Sequence, residues 1–344
     1  MAEDLFATVI IRSFHRMDEL RALTHRVLAQ DYANFEVLVV DSSKGLTARS
    51  VHEQLATSDP RVRVVHTPAR GCPAAANDGV KHARGEVVAF IDDDDFPLDD
   101  AWLSRHMRHY RDPDCLGVNG FMVYEPEHRA GPALIPALRQ WRMLSHGFFK
   151  QPRCYAYSET PKRGIDYLMG GNASIRKSAV QLGGGWDEGL QYHNEHSLFL
   201  RLAKRKKPSE YLMYDPEAKM QIRKDVAGGL DYRFSAEVRT RVDQLAKYFV
   251  WVVGREYPMR IYGALPVFVP SFVLFSAIAG YELAAGRPVN RWVELMKAAV
   301  YAPASLLTHV LNASEHPRVA DWLAETAHME PLDSAGSVFT EGLA

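Results

Sequence analysis

The strongest constraint on the fold of this chain is a repeated change of period in its N-terminal quarter. Short β-rich apolar runs alternate with segments of helical period: Ala7 to Ile11, then Asp18 to Leu28; Phe35 to Val40, then Leu46 to Leu55; Val62 to Val65, then Ala74 to Ala83; Val87 to Ile91. Apolar strands separated by single helices predict parallel pairing with crossover connections, an α/β fold. Pro73 sits where the first turn of a helix tolerates proline, and Gly85 is expected to close that helix against the next strand. Open sheets of this kind bind ligands beyond the carboxyl ends of their strands. Here those ends are Ser13, Asp41 and the run Asp92 to Asp95.

The four consecutive aspartates directly follow the apolar strand Val87-Val88-Ala89-Phe90-Ile91. Their mutual repulsion is costly unless something cationic binds there. A hard divalent ion shared between one or two carboxylates and substrate phosphates fits oxygen ligands at a strand end. The competing reading is a solvated turn that caps the next helix through Asp99 or Asp100.

Composition bounds the remaining choices. At 344 residues, 47% of them apolar, the chain can bury a sizeable core, and a formal charge of -1 leaves no electrostatic footprint for nucleic acid. Cys72, Cys115 and Cys154 are too few and too scattered for a disulfide framework or a four-ligand zinc site. Met1 to Phe6 carries two acids and no apolar run of signal-peptide type, so a cytoplasmic location is expected. Asn172-Ala173-Ser174 and Asn312-Ala313-Ser314 match a glycosylation acceptor pattern, and without a secretion signal both read as chance. His106 and His109, one helical turn apart among arginines, read as a solvated basic face.

Farther along, Pro126 to Gly164 carries five prolines and several aromatics without a sustained period, the character of a binding loop or lid. Regular patterns return at Leu168 to Ile175 and at Asp187 to Lys204, the latter a helix. After about Phe234 the chain reads as helices, ending in a small-residue tail from Pro331. Ile261 to Gly280 is an uncharged run of about the length that spans a bilayer, interrupted by Pro266 and Pro270, and a second apolar stretch follows at Ala298 to Leu311. A buried helical subdomain, an interfacial helix pair and a membrane hairpin are the three readings, in that order.

Taken together, several blocks resemble glycosyltransferase family 2, the large inverting family with the GT-A fold. Thr8-Val9-Ile10-Ile11-Arg12-Ser13-Phe14-His15-Arg16 is similar to its opening strand, and Phe35-Glu36-Val37-Leu38-Val39-Val40-Asp41 to its second strand with the terminal aspartate. Ala76-Asn77-Asp78-Gly79, Gly85-Glu86 and Ile91-Asp92-Asp93-Asp94-Asp95 continue in order. Gly170-Gly171-Asn172-Ala173-Ser174 and Gly184-Gly185-Trp186-Asp187-Glu188 then resemble the acceptor-side half, ending in Asn194-Glu195 ahead of Arg201-Leu202. The resemblance implies a catalytic domain over residues 1–234, with a nucleotide-binding half to about 125 and an acceptor half beyond it. A helical, partly apolar region at 235–330 and a flexible tail at 331–344 complete the expected organisation.

The resemblance also implies a chemistry: transfer of a sugar from a nucleotide diphosphate donor, UDP or dTDP favoured, to a hydroxyl of a saccharide, lipid-linked or small-molecule acceptor. Asp41 would accept the imide N–H of uracil or thymine. Ser13, Asn77, Asp92 and Asp93 would line the nucleotide, and Asp94 with Asp92 would hold Mn2+ or Mg2+ against the leaving diphosphate. Glu195 stands in the place of the family's catalytic aspartate and would deprotonate the acceptor. Gly171, Trp186 and Asp187 would face the acceptor or diphosphate, as would Arg223 or Lys224, which stand near where the family often supplies a metal-binding histidine. His193 or His196 is the alternative ligand. Arg12 and His15 depart from the usual Pro and Asn, Ala76 from a frequent Arg, and Asn194-Glu195 from Glu-Asp. Family members with comparable tails often act on lipid-linked acceptors, which makes peripheral contact with the inner membrane face through residues 261–311 an expectation.

Rival readings use the same raw material. A sugar-phosphate nucleotidyltransferase or a nicotinamide dehydrogenase would need a Gly-rich turn after the first strand, where Arg12-Ser13-Phe14-His15 has none. A degenerate transferase kept as a binding or scaffold protein is the non-catalytic alternative.

Overall fold

The computed structural model describes residues 5–124, 159–192, 194–222, 243–244, 246–256, 301 and 304–312. Its first half is the alternation expected from the sequence: β1 (Ala7–Ser13), α1 (Met17–Leu28), β2 (Phe35–Asp41), α2 (Leu46–Ser58), β3 (Val62–His66), α3 (Cys72–His82) and β4 (Val87–Asp92). The four strands pair in parallel in the order β3-β2-β1-β4. Register places Ser13 beside Asp41, Asp41 beside His66 and Arg12 beside Asp92, so one end of the sheet collects the chemistry-bearing residues. Successive residues of each strand face opposite sides, and both sides are buried. Val9, Ile11, Val37 and Val39 join Leu20, Leu23 and Val51 from α1 and α2, while Ile10, Leu38 and Val40 join Ala76 and Val80 from α3.

The second half adds β5 (Asp95–Pro97), α4 (Trp102–Met107) with a 3-10 turn (Arg108–Arg111), β6 (Cys115–Tyr124), β7 (Lys162–Arg163) and β8 (Ala173–Arg176). After these come α5 (Lys177–Gly183), α6 (Asn194–Arg205) and β9 (Tyr211–Ile222). The sheet continues as β4-β8-β6-β9-β5, with β7 on β9. It is therefore mixed: β8 runs antiparallel to both β4 and β6, and β5 antiparallel to β9.

Asn172, fully buried just before β8, ties this half together. Its Nδ2 donates to the carbonyls of Phe121 and Ala218, each at 3.0 Å, and its own carbonyl accepts from Gly120 N at 3.0 Å and Asn119 Nδ2 at 2.9 Å. Its Oδ1 accepts from Trp102 Nε1 at 2.8 Å and lies 3.1 Å from His106 Nε2. Because that oxygen only accepts, the proton of His106 resides on Nε2, and Nδ1 accepts from Ser174 Oγ at 2.9 Å. A glycan on Asn172 is incompatible with this burial.

Several local expectations change. His106 and His109 are not a solvated face: α4 turns His106 into the sheet, and His109 Nε2 lies 2.7 Å from the buried carboxylate of Asp215. Gly85 does not cap α3, whose C-cap is Ala83; a methyl group at Gly85 would meet Thr8 N at 2.5 Å, so the glycine permits close approach of two backbones. The cap of α4 is Ala101, without a side-chain hydrogen bond, although Asp99 Oδ1 accepts from Ala101 N at 3.1 Å. The helix expected from Asp187 begins only at Asn194, since Asp187 instead closes a turn with Gly189 and Leu190. Residues 304–311 are helical and dock through Asp243, which Ser305 and His309 contact at 3.0 and 2.7 Å. No helix among the described residues is long and apolar enough to cross a membrane. The run 261–280, most of the expected lid and the tail from Pro331 lie outside the described residues.

Burial holds His106 neutral, pushing its pKa from 6.5 down to about 4 against the opposing hydrogen bond to Asn172. The unfolded chain takes up this proton below pH 6.5 and the folded chain only near pH 4. The stability tied to neutral His106 is therefore complete above pH 6.5 and is lost as pH falls towards 4, on the order of 3 kcal/mol. Urea unfolding followed across that window should show His106→Gln less stable at neutral pH but with a flatter dependence; parallel curves would show that His106 does not control the slope.

Candidate functional site

The site assembles at the carboxyl end of β4. There Asp92, Asp94 and Asp95 bring three carboxylate oxygens within 4.8 Å of one another. An all-oxygen donor set of this kind fits a hard divalent cation. Asp94 and Asp95 are buried, and they share the turn with two arginines from the β1 end. Arg12 Nη2 lies 2.6 Å from Asp92 Oδ1, and Arg16 Nη1 lies 2.6 Å from Asp93 Oδ1 and 3.0 Å from Asp94 Oδ2. Asp93 also accepts from Phe14 N at 3.2 Å. Burial nevertheless pushes the Asp93 carboxyl up to about 6, with Arg16 opposing and Asp94 reinforcing the shift. Among the described residues two guanidiniums contact this run of four carboxylates.

The opposite wall is the loop Gly170-Gly171 leading into Asn172. A methyl group on Gly171 would lie 2.5 Å from Asp95 Oδ2 and 3.7 Å from Asp92 Oδ2. One on Gly170 would lie 3.0 Å from Glu195 Oε1 and 3.2 Å from Arg12 Nη2. The absence of side chains here is what lets Glu195, in the first turn of α6, approach the acidic turn. Arg12 Nη2 also donates to Gly170 O at 3.1 Å, so one buried guanidinium joins the end of β1, the acidic turn and the loop beside Glu195.

Asp41, at the end of β2, is 0% exposed. Its carboxylate accepts from Ser43 N at 2.9 Å and Ser43 Oγ at 2.8 Å, and His52 Nε2 lies 2.9 Å from Oδ2. Burial raises its pKa, but the contacts from His52 and Ser43 outweigh that and hold it below the ordinary carboxylate value. Ser13 is buried beside it at the end of β1.

The structure therefore brings together Ser13, Asp41, Asp92, Asp93, Asp94, Gly171 and Glu195 around one sheet end. Asn77 and Trp186 are placed otherwise. The Asn77 amide donates to Trp186 O at 2.8 Å and accepts from Trp186 N at 2.8 Å, and the Trp186 ring is buried edge-on to Phe90 at 5.0 Å. These two are a clip between α3 and the turn that follows α5, and both side chains are buried. Asp187 is buried in its turn, and His196 packs between the rings of Tyr167 and Tyr248. Arg223, Lys224 and His193 lie outside the described residues. The sequence marks Arg12 only as a departure and Asp95 only as a member of the acidic run, and gives no sign of Arg16, His52 or His66 as site residues. Arg12 was legible in principle, since a charged residue inside an apolar strand needs a buried partner.

Comparison with known proteins points to glycosyltransferases. WfgD of Escherichia coli, a UDP-Glc:alpha-D-GlcNAc-diphosphoundecaprenol beta-1,3-glucosyltransferase, is 33% identical over 94 residues, 27% of this chain and 36% of that protein. The glycosyltransferase EpsJ of Bacillus subtilis (strain 168) is 33% identical over 119 residues, 35% of this chain and 34% of that protein. The chain thus matches only about a third of the length of these curated relatives. Among solved structures, the mannosyltransferase PcManGT from Pyrobaculum calidifontis, in complex with GDP-Man and Mn2+, superposes with a TM-score of 0.56 at 17% identity, covering 89% of this chain and 88% of that one. That likeness shows a shared GT-A fold. The family model described as Glycosyl transferase family 2 matches residues 8–183, just over half of the sequence and all of the residues brought together at the sheet end except Glu195, and this chain belongs to that family.

Proposed function

We propose that this chain is an inverting glycosyltransferase that moves a sugar from a pyrimidine nucleotide diphosphate donor, UDP or dTDP, to a hydroxyl of a saccharide, lipid-linked or small-molecule acceptor. The observation that carries this reading is the convergence of Glu195 and the acidic turn across Gly170-Gly171. In a single displacement the acceptor oxygen attacks the anomeric carbon while its proton passes to the Glu195 carboxylate. The bond from that carbon to the diphosphate oxygen breaks, and its electron pair leaves with the nucleotide. Mn2+ or Mg2+, held by Asp92, Asp94 and Asp95, would supply positive charge for the leaving diphosphate. The Mn2+ in the PcManGT complex and the UDP-Glc in the name of WfgD support a divalent ion and a nucleotide-sugar donor. That name also supports a lipid-linked acceptor.

Base recognition falls to the β2 end. Asp41 presents no oxygen to solvent as it stands, so it accepts the imide N–H of the pyrimidine once His52 turns aside. Uridine or thymidine diphosphate at 100 times its dissociation constant should add roughly 2.7 kcal/mol of stability, readable as a thermal shift that an adenine nucleotide does not produce. Asp41→Ala should erase the pyrimidine preference; undiminished binding in that variant would move base recognition elsewhere.

Glu195→Gln keeps the shape of the side chain and removes the base. It should bind donor normally and slow transfer by roughly 10²- to 10⁴-fold, whereas Asp94→Asn should weaken donor and metal binding together. Near-parental turnover in Glu195→Gln would reassign the base, and a product that retains the donor's anomeric configuration would overturn the single displacement.

Arg12 acts on this base as a positioning residue. Its guanidinium meets the same glycine as Glu195 Oε1, at a range where an opposite charge favours the ionised carboxylate. Arg12→Ala should therefore move the acid limb of the kcat/KM profile to higher pH by about one unit, with Arg12→Lys in between. A uniform drop in rate with the limb in place would reduce Arg12 to a structural part.

A further inference from the structure

A second cluster of metal-ligating groups lies at the other side of the same sheet end. Asp41 and His66 are register partners at the last positions of β2 and β3, and His52 comes down on them from α2. One ligand atom from each lies within 4.8 Å of the other two. We propose that Asp41, His52 and His66 form a site for a single transition-metal ion of the Zn2+ or Co2+ class, separate from the oxygen-lined acidic turn.

The contact between His52 and Asp41 carries the inference. His52 Nε2 lies 2.9 Å from Asp41 Oδ2, yet this buried nitrogen makes no well-angled hydrogen bond. An imidazole nitrogen and a carboxylate oxygen at this spacing, with a ring nitrogen of His66 in reach of both residues, match the spacing of ligands on one ion. The carboxylate is braced as ligating carboxylates are, by Ser43 N and Ser43 Oγ, and Ser43 Oγ in turn accepts from His15 N at 2.6 Å. The ring of His66 is exposed and 6.2 Å from that of His52, centroid to centroid, so an ion can enter from solvent on that side and draw His66 in.

The donor set also separates this site from the first. Two imidazoles and one carboxylate suit Zn2+, Co2+ or Ni2+, whereas three carboxylates suit Mg2+ or Mn2+. Three protein ligands leave a fourth position open. An ion here would occupy the carboxylate that reads the donor base, so it would compete with nucleotide; this consequence, unlike the site itself, rests on the function proposed for Asp41.

The test is titration of the full chain with Co2+ in excess Mg2+, followed by visible absorption and calorimetry. One Co2+ per chain with an imidazole-ligated spectrum is expected. His66→Ala should weaken it by more than roughly tenfold, and Asp94→Asn should leave it unchanged. Absence of stoichiometric Co2+, equal binding by His66→Ala, or loss in Asp94→Asn would each overturn the site. In a second arm, Zn2+ should raise the Kd for UDP in the parent but not in His66→Ala. A UDP affinity indifferent to Zn2+, with the Co2+ result intact, would leave the ion site standing and remove Asp41 from base recognition.

Discussion

The mixed half of the sheet depends on one buried side-chain amide. Asn172 meets β6, β9 and α4 at once, and each of its polar groups has a partner. An amide is the one neutral side chain that offers two donors and an acceptor on a short stem. Leaving any of these contacts unmade in the core costs about 1–3 kcal/mol apiece, so the position tolerates little else. Its functional weight comes from its neighbours in sequence. The residues immediately before it are Gly170 and Gly171, and fixing Asn172 fixes where those two pass the acidic turn.

Electrostatics at the sheet end follow a similar economy of parts. Arg12 and Arg16 belong to the segment that leaves β1, the strand next to β4, so the cations that compensate the aspartates come from the neighbouring strand end and its loop. Their positive charge is what makes four adjacent carboxylates tolerable in one turn.

Much of this was legible in the sequence, and for identifiable reasons. The parallel half of the sheet announces itself through period, because strands buried on both faces read as unbroken apolar runs such as Val87 to Ile91. Asp41, Asp92 and Asp94 could be placed at strand ends by the same reading. Long-range pairing was harder. Nothing local says that β8 enters the sheet antiparallel between β4 and β6, or that His106, set among arginines, turns inward to Asn172 and Ser174. Asn77 shows the reverse case, because a motif position near a site can be occupied by a residue whose amide is spent on both sides in packing.

The placement of β4 has a mechanical consequence. Its backbone is hydrogen-bonded to β1 on one edge and to β8 on the other, so the parallel half and the mixed half are parts of a single continuous sheet. A hinge between them would have to break the β4–β8 ladder, and a shear would slip its register and turn every side chain to the wrong face. The strand spacing thus fixes where the Gly170-Gly171 loop, which leads into β8, passes the acidic turn. Adjustment to substrates of different size falls to the loops and side chains that rim this fixed gap.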